Sequence, residues 1–149
     1  ARRLAERLNA SRPHDPRSTW MHGDLNSRNW LLHAGTVALF DFDDAVRGPS
    51  GADVGGVLAW MHTRTLAGLW TAPRERELVL ALLTGYRSAL RMARAPVAAD
   101  LMWYRSAALL VQRAVRAVTR VRRAALQDLD AMLASASRDL PSATAVSHA

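Results

Sequence analysis

Three carboxylates, an amide and a histidine fall close together in this chain: His22-Gly23-Asp24, then Asn29, then Asp41-Phe42-Asp43. Gly23 lets the backbone turn tightly ahead of Asp24. A carboxylate presented on such a turn can act as a general base or orient a nucleophile. An asparagine amide oxygen and an aspartate carboxylate are hard donors. Mg²⁺ accepts one or two of these together with substrate phosphates and water.

A ribbon must position these groups. Trp30-Leu31-Leu32 and Val37-Ala38-Leu39-Phe40 are short apolar runs on either side of His33-Ala34-Gly35-Thr36, where Gly35 can take the positive φ of a hairpin turn. With the turn between Ala34 and Gly35, Leu32 faces Val37 and Trp30 faces Leu39. Asn29 and Asp41, just outside the ribbon, are expected side by side. Both strands are apolar on both faces, which predicts a buried ribbon. A helix is predicted from Ala1 to about Asn9, followed by a proline-broken loop over Ser11–Ser18. After Pro49 and Gly51 the spacing of Val54, Val57, Leu58 and Met61 turns helical. A second helix is predicted from about Pro73 to about Ala93. A third runs from near Pro96 to about Ser135, with Leu109, Val111, Val115, Val118, Leu126, Leu129 and Leu133 as its core stripe. Residues 141–149 read as a disordered tail, and the chain shows no internal repeat. The fold class is mainly α with a small β-hairpin, over residues 1–140.

Composition narrows the chemistry. A chain of 149 residues with 50% apolar and 22% charged residues has the profile of one globular domain. Its apolar runs are too short to cross a bilayer. Cysteine is absent, which excludes disulfides, thiolate metal sites and cysteine nucleophiles and suits a reducing cytoplasm. Ala1 falls inside an apparent helix with Leu4, Ala5 and Leu8, so sequence upstream of it is expected. The net charge is +7, and all 20 basic residues are arginine. Without lysine, this chain supplies neither a Schiff base nor a phosphate-gripping lysine. Arg113, Arg116, Arg120 and Arg123 lie at helical spacing. No aromatic interleaving accompanies them, so they read as a solvated helix face, and nucleic acid is not the expected partner.

The pattern His22-Gly23-Asp24-x4-Asn29, followed after a hairpin by Asp41-Phe42-Asp43, resembles the signature of the aminoglycoside phosphotransferase and choline kinase family, relatives of the protein kinases. Protein kinases usually carry arginine where Gly23 stands, so the glycine points to the small-molecule branch. Four fixed residues recur by chance about once per 10⁵ positions, before Asp41-Phe42-Asp43 is added. The match is strong over Trp20–Val57 and only general beyond. Asn26, where the family often has histidine or another small polar residue, and Asp43, where glycine or glutamate is common, depart from the pattern.

The resemblance implies the C-terminal, catalytic lobe of a protein-kinase-like α+β fold, with the nucleotide-binding N-terminal lobe absent from these residues. It implies ATP-dependent phosphoryl transfer to a hydroxyl of a small molecule. Asp24 would be the catalytic aspartate, and Asn29 and Asp41 would hold the Mg²⁺ that bridges the ATP phosphates. His22 and Gly23 would shape the loop. Asp53, in Ala52-Asp53-Val54 at the next helix start, would tie that loop down. The isolated chain is expected to be inactive for want of a nucleotide grip.

A rival is a non-catalytic pseudokinase remnant or an arginine-rich binding module, against which the intact Asp24, Asn29 and Asp41 argue. Asp43 and Asp44 read either as support for metal or loop or as solvated turn residues, and His62 and Arg64 either face a pocket or lie on the surface. His14, His33 and His148 carry no pattern. The helices after the site are rich in arginine, with Glu75, Glu77 and Asp100 as the few acids before the last helix, so a neutral or anionic acceptor is expected.

Overall fold

A helix that is apolar on nearly every side has to be surrounded. In Ala52–Leu66 (α2), Val54, Gly55, Gly56, Val57, Leu58, Ala59 and Met61 are all buried. The computed structural model describes residues 2–14, 18–89, 98–119 and 126–141. Before α2 come α1 (Arg2–Ala10), β1 (Ser18–Met21), a 3-10 turn (Ser27–Asn29), β2 (Trp30–His33), β3 (Thr36–Leu39) and β4 (Val46–Pro49). After it come α3 (Ala72–Ala89), α4 (Ala98–Ala107), a π-helical segment (Ala108–Val115), α5 (Arg116–Thr119) and α6 (Leu129–Asp139). The mainly helical class with small antiparallel ribbons agrees with the sequence reading.

Two apolar clusters hold α2. Val54 and Leu58 meet Leu101 of α4 and the half-buried Val79, Leu82 and Leu83 of α3. Ala59 meets Leu109, Met132 and Ala136, with Leu4 of α1 closing the cluster. The approach of α4 to α2 is close because Gly55 has no side chain: a Cβ there would lie 2.4 Å from the Cβ of Tyr104. Helix α1 is pinned at both ends of the fold. The indole N–H of Trp103 donates to the Leu8 carbonyl at 2.8 Å. The guanidinium of Arg7 donates to Ser137 Oγ at 2.8 Å and to the carbonyls of Ser137, Leu140 and Pro141 at 3.0–3.1 Å. A cation there meets the last carbonyls of α6, which have no partner within the helix.

Three expectations are corrected. The hairpin is not buried: Leu31, Leu32 and Val37 are 59%, 72% and 58% exposed. Among the described residues strand β2 pairs with β3 alone, and no further strand covers this ribbon. The third helix is not continuous. It widens into i→i+5 bonding over Ala108–Val115, and a turn at Asp128 precedes α6. The valine stripe also fails, for the same reason. Val111, Val115 and Val118 are about half exposed, while Leu110, Ala114 and Ala117 take the core beside Leu109. A π-helical turn takes up more residues than an α turn, so a stripe counted at α spacing walks off the core. The predicted end of the second helix near Ala93, the start of the third near Pro96, Arg120, Arg123 and residues 142–149 of the tail lie outside the described residues. No described helix is long and apolar enough to cross a membrane.

Candidate active site

The site is built by nested hairpins. Strand β1 pairs antiparallel with β4, from Ser18↔Pro49 to Met21↔Val46. Inside this pair sits the hairpin β2–β3, from Trp30↔Leu39 to His33↔Thr36, in the register the sequence predicts. Residues 22–29 connect β1 to β2 and residues 40–45 connect β3 to β4, so the two loops are forced to run beside each other. The Phe40 N–H donates to the Asn29 carbonyl at 3.2 Å, which continues the inner ladder by one pair. Antiparallel pairs advance one residue on each strand, so Phe40 rather than Asp41 stands opposite Asn29. Asp41 follows with φ 65°, in the left-handed region.

His22 stitches the loops together. The residue is 5% exposed, and its Nε2 lies 2.9 Å from the Phe40 carbonyl. A carbonyl can only accept, so Nε2 carries the proton. The ring also packs on Phe42, with centroids 4.6 Å apart. Gly23 has φ +82°, and a Cβ at this position would lie 2.2 Å from the Asp44 carbonyl oxygen. Any side chain here would push the two loops apart.

Asp53, the second residue of α2, sends its carboxylate out to the loop. Oδ2 accepts the His22 N–H at 2.6 Å and Oδ1 accepts the Gly23 N–H at 3.1 Å. The turn before Asp24 is thereby tied to the start of the central helix. Asparagine at this position keeps the shape but only one acceptor oxygen, and hydrogen bonds to a charged group contribute about 1.5–3 kcal/mol each. Asp53→Asn is expected to cost about 2 kcal/mol of stability. Urea unfolding measures this, and an unmoved midpoint would count against the tether.

Asp24 is fixed through its own backbone. Its carbonyl accepts Asn26 Nδ2 at 2.9 Å and Asn29 Nδ2 at 3.0 Å. Asn26 Oδ1 in turn accepts the Arg28 N–H at 3.0 Å and caps the 3-10 turn. Both asparagines are buried. Sequence reasoning registered Asn26 only as a departure from a pattern. Its usable signal was an asparagine immediately before a helical turn, where the side chain caps the backbone.

With its backbone held, the half-buried Asp24 side chain lines an open cleft of about 620 Å³. Asp44 and Arg28 line it from the loops, and Trp60, Arg64, Arg113 and Arg116 from the helices. Asn29 and Asp41 do not line it, though Asn29 Nδ2 reaches to 3.5 Å from Asp24 Oδ2. Arg113 and Arg116, read from sequence as part of a solvated face, are half-buried and exposed respectively and also stand on this cleft. Arg64 lies over the Trp60 ring, 5.4 Å from its centroid, and Trp60 packs edge-on against Trp30 and Trp70. His62 turns the other way, with Nδ1 2.9 Å from Glu75 Oε1 and Nε2 2.9 Å from Ser135 Oγ, so it joins three helices rather than facing the cleft.

For a divalent cation, the donor chemistry at the loop ends fits Mg²⁺. The Asn29 amide nitrogen is committed to Asp24, while its Oδ1 makes no hydrogen bond to a described residue. The exposed Asp41 carboxylate likewise makes no ion pair or hydrogen bond to a described residue. Among the described residues no group of three or more His, Cys, Asp or Glu could hold a metal. Each is a hard oxygen donor of the kind that Mg²⁺ takes alongside phosphate and water. Among the described residues one carboxyl is pushed above its ordinary range, and it lies elsewhere: burial raises Asp139, partly offset by Arg105 at 3.4 Å.

No curated protein and no solved structure matches the chain. The sequence model of the phosphotransferase enzyme family, APH, matches residues 1–96, which carry both ribbons, both loops, α2 and α3. By that match, the chain belongs to the phosphotransferase enzyme family.

Proposed function

We propose that this chain is the catalytic lobe of an ATP-dependent small-molecule kinase, which transfers the terminal phosphoryl group of ATP to a hydroxyl. The observation that carries the reading is the mounting of Asp24. Two asparagine amides hold its carbonyl, Asp53 holds the turn before it, and its carboxylate opens on a cleft. In that position Asp24 receives the proton of the acceptor hydroxyl as its oxygen attacks phosphorus, and ADP leaves. Asn29 and Asp41 are the residues that would hold Mg²⁺, which when bound would offset the charge of the donor phosphates. His22 and Gly23 keep the two loops in register, and Asp53 fixes them to α2.

The remaining parts of the reading rest on composition. The chain contains no lysine, so the lysine that grips nucleotide phosphates in kinases of this kind has to come from an N-terminal lobe outside these residues. The chain acts in the cytoplasm, in keeping with its lack of cysteine. Phosphorus NMR of the full-length protein with Mg-ATP and a library of hydroxyl compounds tests the reading. A phosphomonoester signal should grow together with ADP for a subset of compounds. ADP formation that ignores the acceptor, or none with any compound, would sink it.

A further inference from the structure

The wall of the cleft opposite the catalytic loop is basic. Arg64 at the end of α2, Arg113 on the π-helical segment and Arg116 at the start of α5 all line it, with Asp128, in the turn before α6, as the one acid beside them. The other two acids on the cleft, Asp24 and Asp44, come from the loops. Arg64 and Arg116 make no ion pair with a described residue. Three other acids of the helices are engaged away from it. Glu75 is bonded to His62 at 2.9 Å, Glu77 to Arg74 at 2.8 Å, and Asp139 is paired with Arg105. An amine seated on this wall would face three guanidinium groups against the one carboxylate of Asp128.

Two further features suit a ligand on this wall. At about 620 Å³ the cleft falls within the size range of small-molecule sites. Gln112 and Arg113 are carried on i→i+5 turns, which recur at functional sites because they shift side chains off the ordinary helical positions. Arginine presents a planar fork of donors that matches carboxylate and phosphate oxygens in pairs.

We infer that the cleft takes an acceptor bearing, besides its hydroxyl, a negatively charged carboxylate or phosphate group seated against Arg64, Arg113 and Arg116. This rests on the kinase reading above, and it names the acceptor's class. The hydroxyl faces Asp24 while the anionic group is held on the helical wall. Phosphoryl transfer moves the donor's phosphoryl group to the hydroxyl oxygen and its proton to Asp24, and leaves the anionic group unchanged.

The test measures binding and turnover separately in the full-length protein, using glucose, glucosamine, glucuronate and glucose 1-phosphate as size-matched probes. Calorimetry should show at least one of the two anions binding more tightly than glucose, and glucosamine more weakly, with the difference shrinking as salt rises. Comparing the anions shows whether a carboxylate or a phosphate is preferred. Arg64→Gln and Arg116→Gln should each weaken the preferred anion by roughly tenfold without altering Mg-ATP affinity. The exposed Arg116→Glu should shift the preference towards the amine, and matching thermal melts would exclude misfolding as the cause. Equal or tighter binding of glucosamine, or no preference among the four, overturns the inference and leaves the kinase reading standing. Anion binding lost in the arginine variants, with no ATP-dependent turnover of any hydroxyl compound, overturns the kinase reading and with it the acceptor role.

Discussion

Asp24→Asn in the full-length protein is expected to lower kcat by about a hundredfold to ten-thousandfold, the usual contribution of a positioned general base. Affinity for Mg-ATP should barely change. The substitution is isosteric, and the bonds that fix the loop end on the Asp24 carbonyl, which asparagine retains. The contact from Asn29 Nδ2 to the carboxylate, at 3.5 Å, is too long to contribute much. What is lost is the group that takes a proton, so kcat and kcat/KM should fall together. Steady-state kinetics paired with nucleotide calorimetry separates the alternatives. Wild-type turnover would remove Asp24 from the reaction. An equal loss of nucleotide affinity would move it from the acceptor to the donor side.

Asp41→Ala should raise the Mg²⁺ concentration for half-maximal activity by at least about tenfold, since changing even a residue behind a metal ligand costs 10–100-fold. Turnover at saturating metal should also collapse. Asn29→Ala removes a neutral donor, so its effect on metal dependence should be smaller. It also deletes the Nδ2 bond to the Asp24 carbonyl, and its activity should not recover fully however much Mg²⁺ is added. Magnesium titrations of both variants distinguish the roles. Unchanged metal dependence in both would remove Asn29 and Asp41 from the metal site.

How legible these features were depended on how far apart in sequence the cause lay. The inner hairpin could be read because its turn and both strands lie within ten residues, and Trp30↔Leu39 follows from placing Gly35 in the turn. The outer ribbon could not. Ser18–Met21 and Val46–Pro49 are short and mostly exposed, and they pair only because the inner hairpin has already brought their ends together. The contact between Asp53 and the loop spans 30 residues, and the resemblance suggested it where spacing alone did not. Burial of the ribbon was misjudged for a different reason. Apolar side chains state a preference for cover, but whether cover exists depends on what packs there. The widened turn over Ala108–Val115 had no distinctive residue to announce it, since Ala, Leu, Val, Gln and Arg all suit an ordinary helix.

That widened turn has a consequence for length changes in the helix. Each residue of an α-helix rotates the chain by about 100°, so removing one exposed residue such as Val111 would let ordinary bonding close with the downstream phase kept. Ordinary bonding with all eight residues in place would instead swing everything downstream by about that angle. In that second case Leu109 would stay in the core. Ala114 and Ala117 would rotate out of it, and Arg113 and Arg116 would turn off the cleft. The segment thus works as a phase shifter between two demands on one helix, with the α4 side set by packing on α2 and the α5 side by what the cleft must present.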